Sequence, residues 1–402
     1  MHERREAWWY YGTAVGWAII YLTAGFLLPT VFGIDRGLFG VDRLRAFGPF
    51  VPLVALLAAL AWLAWRRGAA EGPIRLLRDA ARRWPRRATA VGMVAMAGAS
   101  WALRTRFYSS DSIAFGPYFE YFVPRQGFYL RHDEIWEFVL HSVAWRITHA
   151  WFDWTVLQAY QVVNCLAAGL AVPLLALVAR EHAPTRPLTF IALAITGGWI
   201  QLYFGDPENY TLTSLWLLLY FLLSARHLRG HTPLVAPAAA LAGAMTFHML
   251  SAFLLPALGW MALRRLRARQ WAEVRLAFLV AVFIVFITVF LFHFLGVPAE
   301  HLIKKSFVGG FGGHQYGVMI NRLSWNYHSQ VLQLMLLLCP LLPLLVPLLL
   351  FRRIPGDAIS VHLAISAVMM LLFIVFWRSI IGLYNDWNLF SAFALPFTLL
   401  IA

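Results

Sequence analysis

Long apolar runs separated by short polar breaks set the pattern of this chain. A membrane-crossing helix needs roughly 20 mostly apolar residues. About twelve stretches come near that length: 10–32, 48–65, 88–104, 153–179, 188–204, 210–225, 233–247, 250–263, 276–295, 329–351, 358–377 and 388–402. In the break 105–152, Ile135, Trp136, Val139, Leu140, Val143 and Trp145 recur at helical spacing, which predicts an amphipathic helix lying in the interface. The pattern therefore predicts an all-α polytopic membrane protein of about 12 transmembrane helices. Composition agrees, since 61% of the 402 residues are hydrophobic and 13% charged, too little polar surface for a soluble fold. The chain divides into a transmembrane hairpin with a cytoplasmic amphipathic segment, 1–87, and a larger transmembrane domain, 88–402. "MHERREAWWYY" runs straight into the first span, so no cleavable signal peptide is expected. The last span is still apolar at Ala402, as in a fragment of a longer chain.

Charge sets the orientation. The net charge is +14, yet most of the basic residues fall in alternate breaks, among them 66–87, 226–230, 264–275 and 351–353. That is the positive-inside pattern, and it accounts for the charge without nucleic acid as a partner. It places the N-terminus and these breaks in the cytoplasm, with 66–87 as an amphipathic helix on anionic lipid. The breaks 33–47, 105–152, 205–209, 248–249, 296–328 and 378–387 then face outward. Cys165 and Cys339 both lie inside spans and suit neither a disulfide framework nor a metal site.

The outward breaks hold nearly every unusual polar residue: Asp111, Asp133, Glu134, Asp206, Glu208, Asn209, His248, Lys304, Lys305, His314, His328, Arg378 and Asp386. Each has an ordinary reading. Asp133 would cap the interfacial helix, and Glu208 or Asn209 would cap the span after the Asp206-Pro207 turn. His248 would be a hydrogen-bonded structural residue, and Arg378 would pair with Asp386. The glycines of "HLIKKSFVGGFGGHQYG" make a loop suited to a lid or a phosphate cradle, because no strand precedes them as a dinucleotide fingerprint requires. Lys304 and Lys305, the only lysines, face outward against the topology rule, as if an anion held them. Taken together, outward carboxylates near cationic and histidine groups suit an enzyme that deprotonates an acceptor and neutralises a departing phosphate at the interface.

The order "SSDS", "HDE", "FGDPENY", "FHMLSAFLLPAL", "NYHSQVLQLMLLLCP" and "GLYNDWNLFSAFALP" resembles the bacterial GT-C superfamily of membrane glycosyltransferases. The resemblance covers most of 88–402. It implies an inner-membrane, multi-pass enzyme that takes a sugar from a polyprenyl-phosphate donor and transfers it, with inversion, at the periplasmic face. It further implies a catalytic acid in the early outer loop. Asp111 best matches that position, with Asp133 or Glu134 as a second acid, and Arg378, Lys304 and Lys305 would hold the lipid phosphate. An extra hairpin precedes the acid here, and a "DS" pair stands where many members carry "DE" or "DD". One carboxylate is a poor metal site, so a divalent metal stays an open question, and the resemblance names no protein partner. The competing classes are a lipid or solute transporter and an inactive GT-C-like assembly subunit. A transporter would place ionisable residues at mid-membrane, often in two repeated halves; the spans here are nearly free of charge and no repeat is visible.

Overall fold

The computed structural model describes residues 83, 85–104, 111–129, 134–195, 197–294, 328, 331, 332, 334, 335, 338, 339, 356–376 and 387–401. All regular structure among them is helical. In chain order the α-helices are α1 (Pro85–Ala102), α2 (Asp111–Gln126), α3 (Ile135–Phe152), α4 (Val156–His182), α5 (Pro187–Ala194), α6 (Thr211–Leu228), α7 (Val235–Phe247), α8 (Leu255–Arg267), α9 (Trp271–Phe294), α10 (Ala358–Phe376), α11 (Trp387–Phe393) and α12 (Leu395–Ile401). Two 3₁₀ turns, Gly198–Tyr203 and Met249–Leu254, precede α6 and α8. The predicted hairpin 10–65 and nearly all of 66–87 lie outside the described residues.

Among the described residues five helical stretches are long and apolar enough to cross a membrane: Val156–His182, Thr211–Leu228, Met249–Arg267, Trp271–Phe294 and Ala358–Val375. On α9 the side chains of Phe278, Leu279, Phe283, Phe286 and Phe294 are exposed. An apolar surface of that extent is stable only against lipid or a further protein surface. The protein is thus a polytopic, all-helical membrane protein.

α4 is the axis of the bundle, packed against α1, α3 and α6, and α6 continues through α7 to α9. Close approach of α1 to α4 depends on Gly169, where a Cβ would lie 2.8 Å from the Met93 carbonyl oxygen. α4 starts from a capping box, in which Thr155 Oγ1 accepts the Gln158 N–H and Gln158 Oε1 accepts the Thr155 N–H. The preceding Asp153 is left-handed (φ 54°) and turns the chain sharply out of α3. In the core, the Tyr220 hydroxyl bonds His362 Nε2 at 3.0 Å, tying α6 to α10.

Two expected spans are interrupted. The stretch 188–204 is α5 followed by a 3₁₀ turn, with the chain at Gly197 wedged so tightly between Trp199 and Thr398 that a Cβ would meet them at 2.6 and 2.8 Å. The stretch 388–402 breaks at Ala394 between α11 and α12. Apolarity alone does not register such breaks, because both segments are buried against one another and remain hydrophobic throughout.

Candidate functional site

α3 carries its polar residues inward. Glu137, Phe138, His141 and Ser142 are buried, whereas Leu140, Val143, Ile147 and Trp151 form an exposed apolar stripe. The interior therefore receives Glu134, just before the helix, together with Glu137 and His141, at positions i, i+3 and i+7 on one face.

Three other segments meet this face. The first is the loop before α6, which Gly205 lets turn: its φ is +67° and a Cβ would lie 3.0 Å from that of Arg104. Glu208 donates its N–H to the Asp206 carbonyl at 2.8 Å, and Asn164 Nδ2 of α4 donates to the same oxygen. Asp206, Glu208 and Asn209 are buried as a result. The second is the start of α6, where the Thr213 N–H and Oγ1–H donate to Glu137 Oε1 at 3.0 and 3.2 Å. The third is the end of α7, where His248 turns back across the bundle.

Glu134 is the meeting point. Asn209 Nδ2 donates to its Oε2 at 2.8 Å, and His248 Nε2 lies 3.3 Å from its Oε1. His248 Nδ1 accepts the Leu250 N–H at 3.2 Å, so the imidazole proton sits on Nε2, facing the carboxylate. Tyr210 packs on the same imidazole, with ring centroids 5.2 Å apart. Deeper in, His141 Nδ1–H donates to the Glu137 carbonyl at 2.7 Å, and its ring stacks on Tyr160 at 3.7 Å. Burial holds the imidazole neutral, pushing its pKa down to about 4. Phe115 and Phe119 of α2 pack on Tyr160 with Phe138, closing the cluster with an aromatic layer. An apolar pocket of about 500 Å³ opens between α3 and α9, lined by Ile135, Trp136 and Val139 of α3, which follow Glu134 in the chain, and by Phe290 and Phe294 of α9. Its Thr288 hydroxyl accepts the Trp136 indole N–H at 3.3 Å.

The structure thus brings together Glu134, Asp206, Glu208, Asn209 and His248 from the residues singled out in the sequence. His328 is exposed. Asp133, Lys304, Lys305, His314, Arg378 and Asp386, and the side chain of Asp111, lie outside the described residues; the Asp111 backbone opens α2. Two capping readings are corrected. Tyr210, not Glu208 or Asn209, stands at the cap of α6 and Glu134 at that of α3, neither making a side-chain cap bond. Glu137, His141, Tyr160, Asn164 and Thr213 are absent from the sequence selection. The signal for two of them was the spacing in "EIWEFVLH", where each polar residue falls on one helical face. Among the described residues no group of three His, Cys, Asp or Glu side chains is placed to hold a metal ion.

No protein-family model and no curated protein sequence matches the chain. Among solved structures, ArnT from Cupriavidus metallidurans in the apo state is similar, at a TM-score of 0.51 and 15% identity, over 83% of this chain and 59% of that one. The chain thus spans less than two-thirds of that protein's length. At that identity the likeness is one of fold: the described helices share the architecture of that structure.

Proposed function

We propose that this protein is a membrane glycosyltransferase that moves a sugar from a polyprenyl-phosphate donor to an acceptor at the periplasmic face, inverting the anomeric centre. The observation that carries the reading is Glu134: a buried carboxylate, oriented by Asn209 and His248, at the start of a helix whose Ile135, Trp136 and Val139 line an apolar pocket, in a fold shared with ArnT. A lipid-linked substrate needs both surfaces side by side, one for its hydrocarbon and one for the reacting head.

In the reaction proposed, a carboxylate takes the proton from an acceptor hydroxyl as the oxygen attacks the anomeric carbon. The bond from that carbon to the phosphate oxygen breaks, and the lipid phosphate leaves with the electron pair. Glu134 fits the base because both its oxygens accept hydrogen bonds, which leaves it ionised and fixed in orientation. Asp111 is the second candidate for the same role, from its place in the early outer loop. Arg378, Lys304 and Lys305 are proposed to hold the departing phosphate.

The test is transfer of a radiolabelled sugar from a polyprenyl-phosphate donor in membranes. Glu134→Gln keeps size and hydrogen bonding but cannot accept the proton, and general-base help is worth ~10²–10⁴-fold. The rate should fall by that factor with donor binding intact. Near-full activity in Glu134→Gln, with Asp111→Asn inactive, would move the base to Asp111.

A further inference from the structure

Glu134 and Glu137 stand one helical turn apart, and their hydrogen bonds differ in kind. An ionised carboxylate accepts at both oxygens, whereas a carboxylic acid accepts at one and donates from the other. Glu134 faces N–H groups with both oxygens, Asn209 Nδ2 at Oε2 and His248 Nε2 at Oε1. At Glu137 the Thr213 N–H and hydroxyl both donate to Oε1, and the Leu212 N–H also acts on the carboxyl. Its Oε2 has no hydrogen-bond partner among the described residues. His141 Nδ1 lies 3.7 Å from Oε2, but its proton is committed to the Glu137 carbonyl at 2.7 Å.

Several other buried polar atoms share this condition, and three of them lie close by: His141 Nε2, the Tyr160 hydroxyl and Asn164 Oδ1. All four side chains are fully buried. They also adjoin one another, since His141 stacks on Tyr160 and Asn164 lies beside the His141 ring. A buried polar group left unpaired costs about 1–3 kcal/mol, so four in one place mark the lining of a polar site. With Nδ1–H engaged, His141 Nε2 can only accept, as can Asn164 Oδ1. A site rich in acceptors needs donors inside it.

We propose that Glu137 is the uncharged partner of Glu134: a carboxylic acid whose Oε2–H donates into a buried water site shared with His141, Tyr160 and Asn164, while Glu134 alone carries the negative charge of α3. Among the described residues no cation acts on Glu137, and only the Thr213 and Leu212 donors favour its ionised form, against burial and the Glu134 charge. The side chains around it are the charged Glu134 and neutral His141 on α3, the Tyr160 phenol on α4, Tyr203 in the 3₁₀ turn and uncharged Thr213 on α6. His248 of α7 is committed to Glu134, and Arg104 at the end of α1 folds over the Trp101 ring at 4.1 Å. Burial, with the Glu134 charge adding to it, raises the Glu137 carboxyl well above its ordinary range. Two neighbouring acids are thereby held in opposite protonation states, which assigns proton acceptance to one of them. This deepens the transfer reading of the site, but the protonation itself does not depend on that reading.

Difference infrared spectroscopy of the full chain in membranes tests it without any sugar substrate. Glu137→Gln should remove a protonated-carboxyl C=O band at neutral pH, and Glu134→Gln an ionised-carboxylate signal. Loss of a carboxylate signal in Glu137→Gln overturns the assignment. Should that variant fail to fold, Thr213→Val removes one of the two donors on Oε1 and should move the acid band to higher frequency; an unmoved band overturns it equally. Transfer to D₂O should shift the same band downward, since the shared water carries the exchange. A band indifferent to D₂O excludes the water site. Failure of the transfer assay would leave all three spectral outcomes unaffected.

Discussion

His248 does its work through one proton. The Leu250 N–H fixes Nδ1 as an acceptor, and this leaves Nε2–H for Glu134. A hydrogen bond to a charged group is worth ~1.5–3 kcal/mol, so His248→Ala should lower transfer by roughly 10- to 100-fold. An unchanged rate in that variant would remove His248 from the site. Glu134, Asn209 and His248 were visible in the sequence because acids, amides and imidazoles stand out against apolar spans. Their partnership was not, since Glu134 is separated from Asn209 by 75 residues. Glu137 and His141 escaped for another reason: they sit among Trp136, Phe138 and Leu140, and the apolar periodicity of the helix drew attention to its opposite face.

That inversion decides how α3 is read as an element. The apolar spacing correctly predicts a helix, but of the positions it rests on Ile135 and Trp145 are buried, while Leu140 and Val143 fall on an exposed stripe with Ile147 and Trp151. In water such a helix would be turned over; beside lipid the apolar face belongs outside and the polar face can close on a site. Helix ends were legible to within a few residues for 153–179, 210–225 and 233–247, where caps and loops coincide with polar breaks. The interruptions near Gly197 and Ala394 were not, because tertiary contacts impose them within apolar sequence. Helix pairing depends on small residues in the same hidden way. Any side chain at Gly169 would press on the Met93 carbonyl, a backbone atom of α1 that cannot rotate aside. Gly169→Val should therefore destabilise the α1–α4 pair by about 1–3 kcal/mol, seen as a lower Tm in detergent. Gly98→Val is the control, since a Cβ there meets nothing within 4 Å. Equal Tm values for the two variants would show that α1 and α4 do not pack at this register.

Over the whole molecule the polar groups separate to opposite ends of the helices. Glu134, Glu137, His141, Asn209 and His248 gather where α4 and α6 begin and α7 ends. Where α4 and α6 end and α9 begins, Arg226 pairs with Glu181 at 2.9 Å and Arg265 bonds His227 at 3.1 Å. Glu273 there accepts the Leu234 N–H at 2.6 Å. Asn164 and Glu181 lie on the same helix, 17 residues apart, and at about 1.5 Å per residue that is close to the thickness of a bilayer core. The arginine-rich end is the one that the positive-inside rule assigns to the cytoplasm, so the carboxylate cluster should lie at the periplasmic face. Cysteine labelling decides it with little background, because native Cys165 and Cys339 are both buried. Arg125→Cys, exposed at the end of α2, should react with a membrane-impermeant thiol reagent added to spheroplasts. His231→Cys, exposed between α6 and α7, should react only after the membrane is opened. The reverse pattern would place the cluster in the cytoplasm, leaving the chemistry of Glu134 intact but removing the periplasmic assignment. Labelling of both sites from outside would break the helix alternation that brings α3, α4, α6 and α7 to one end.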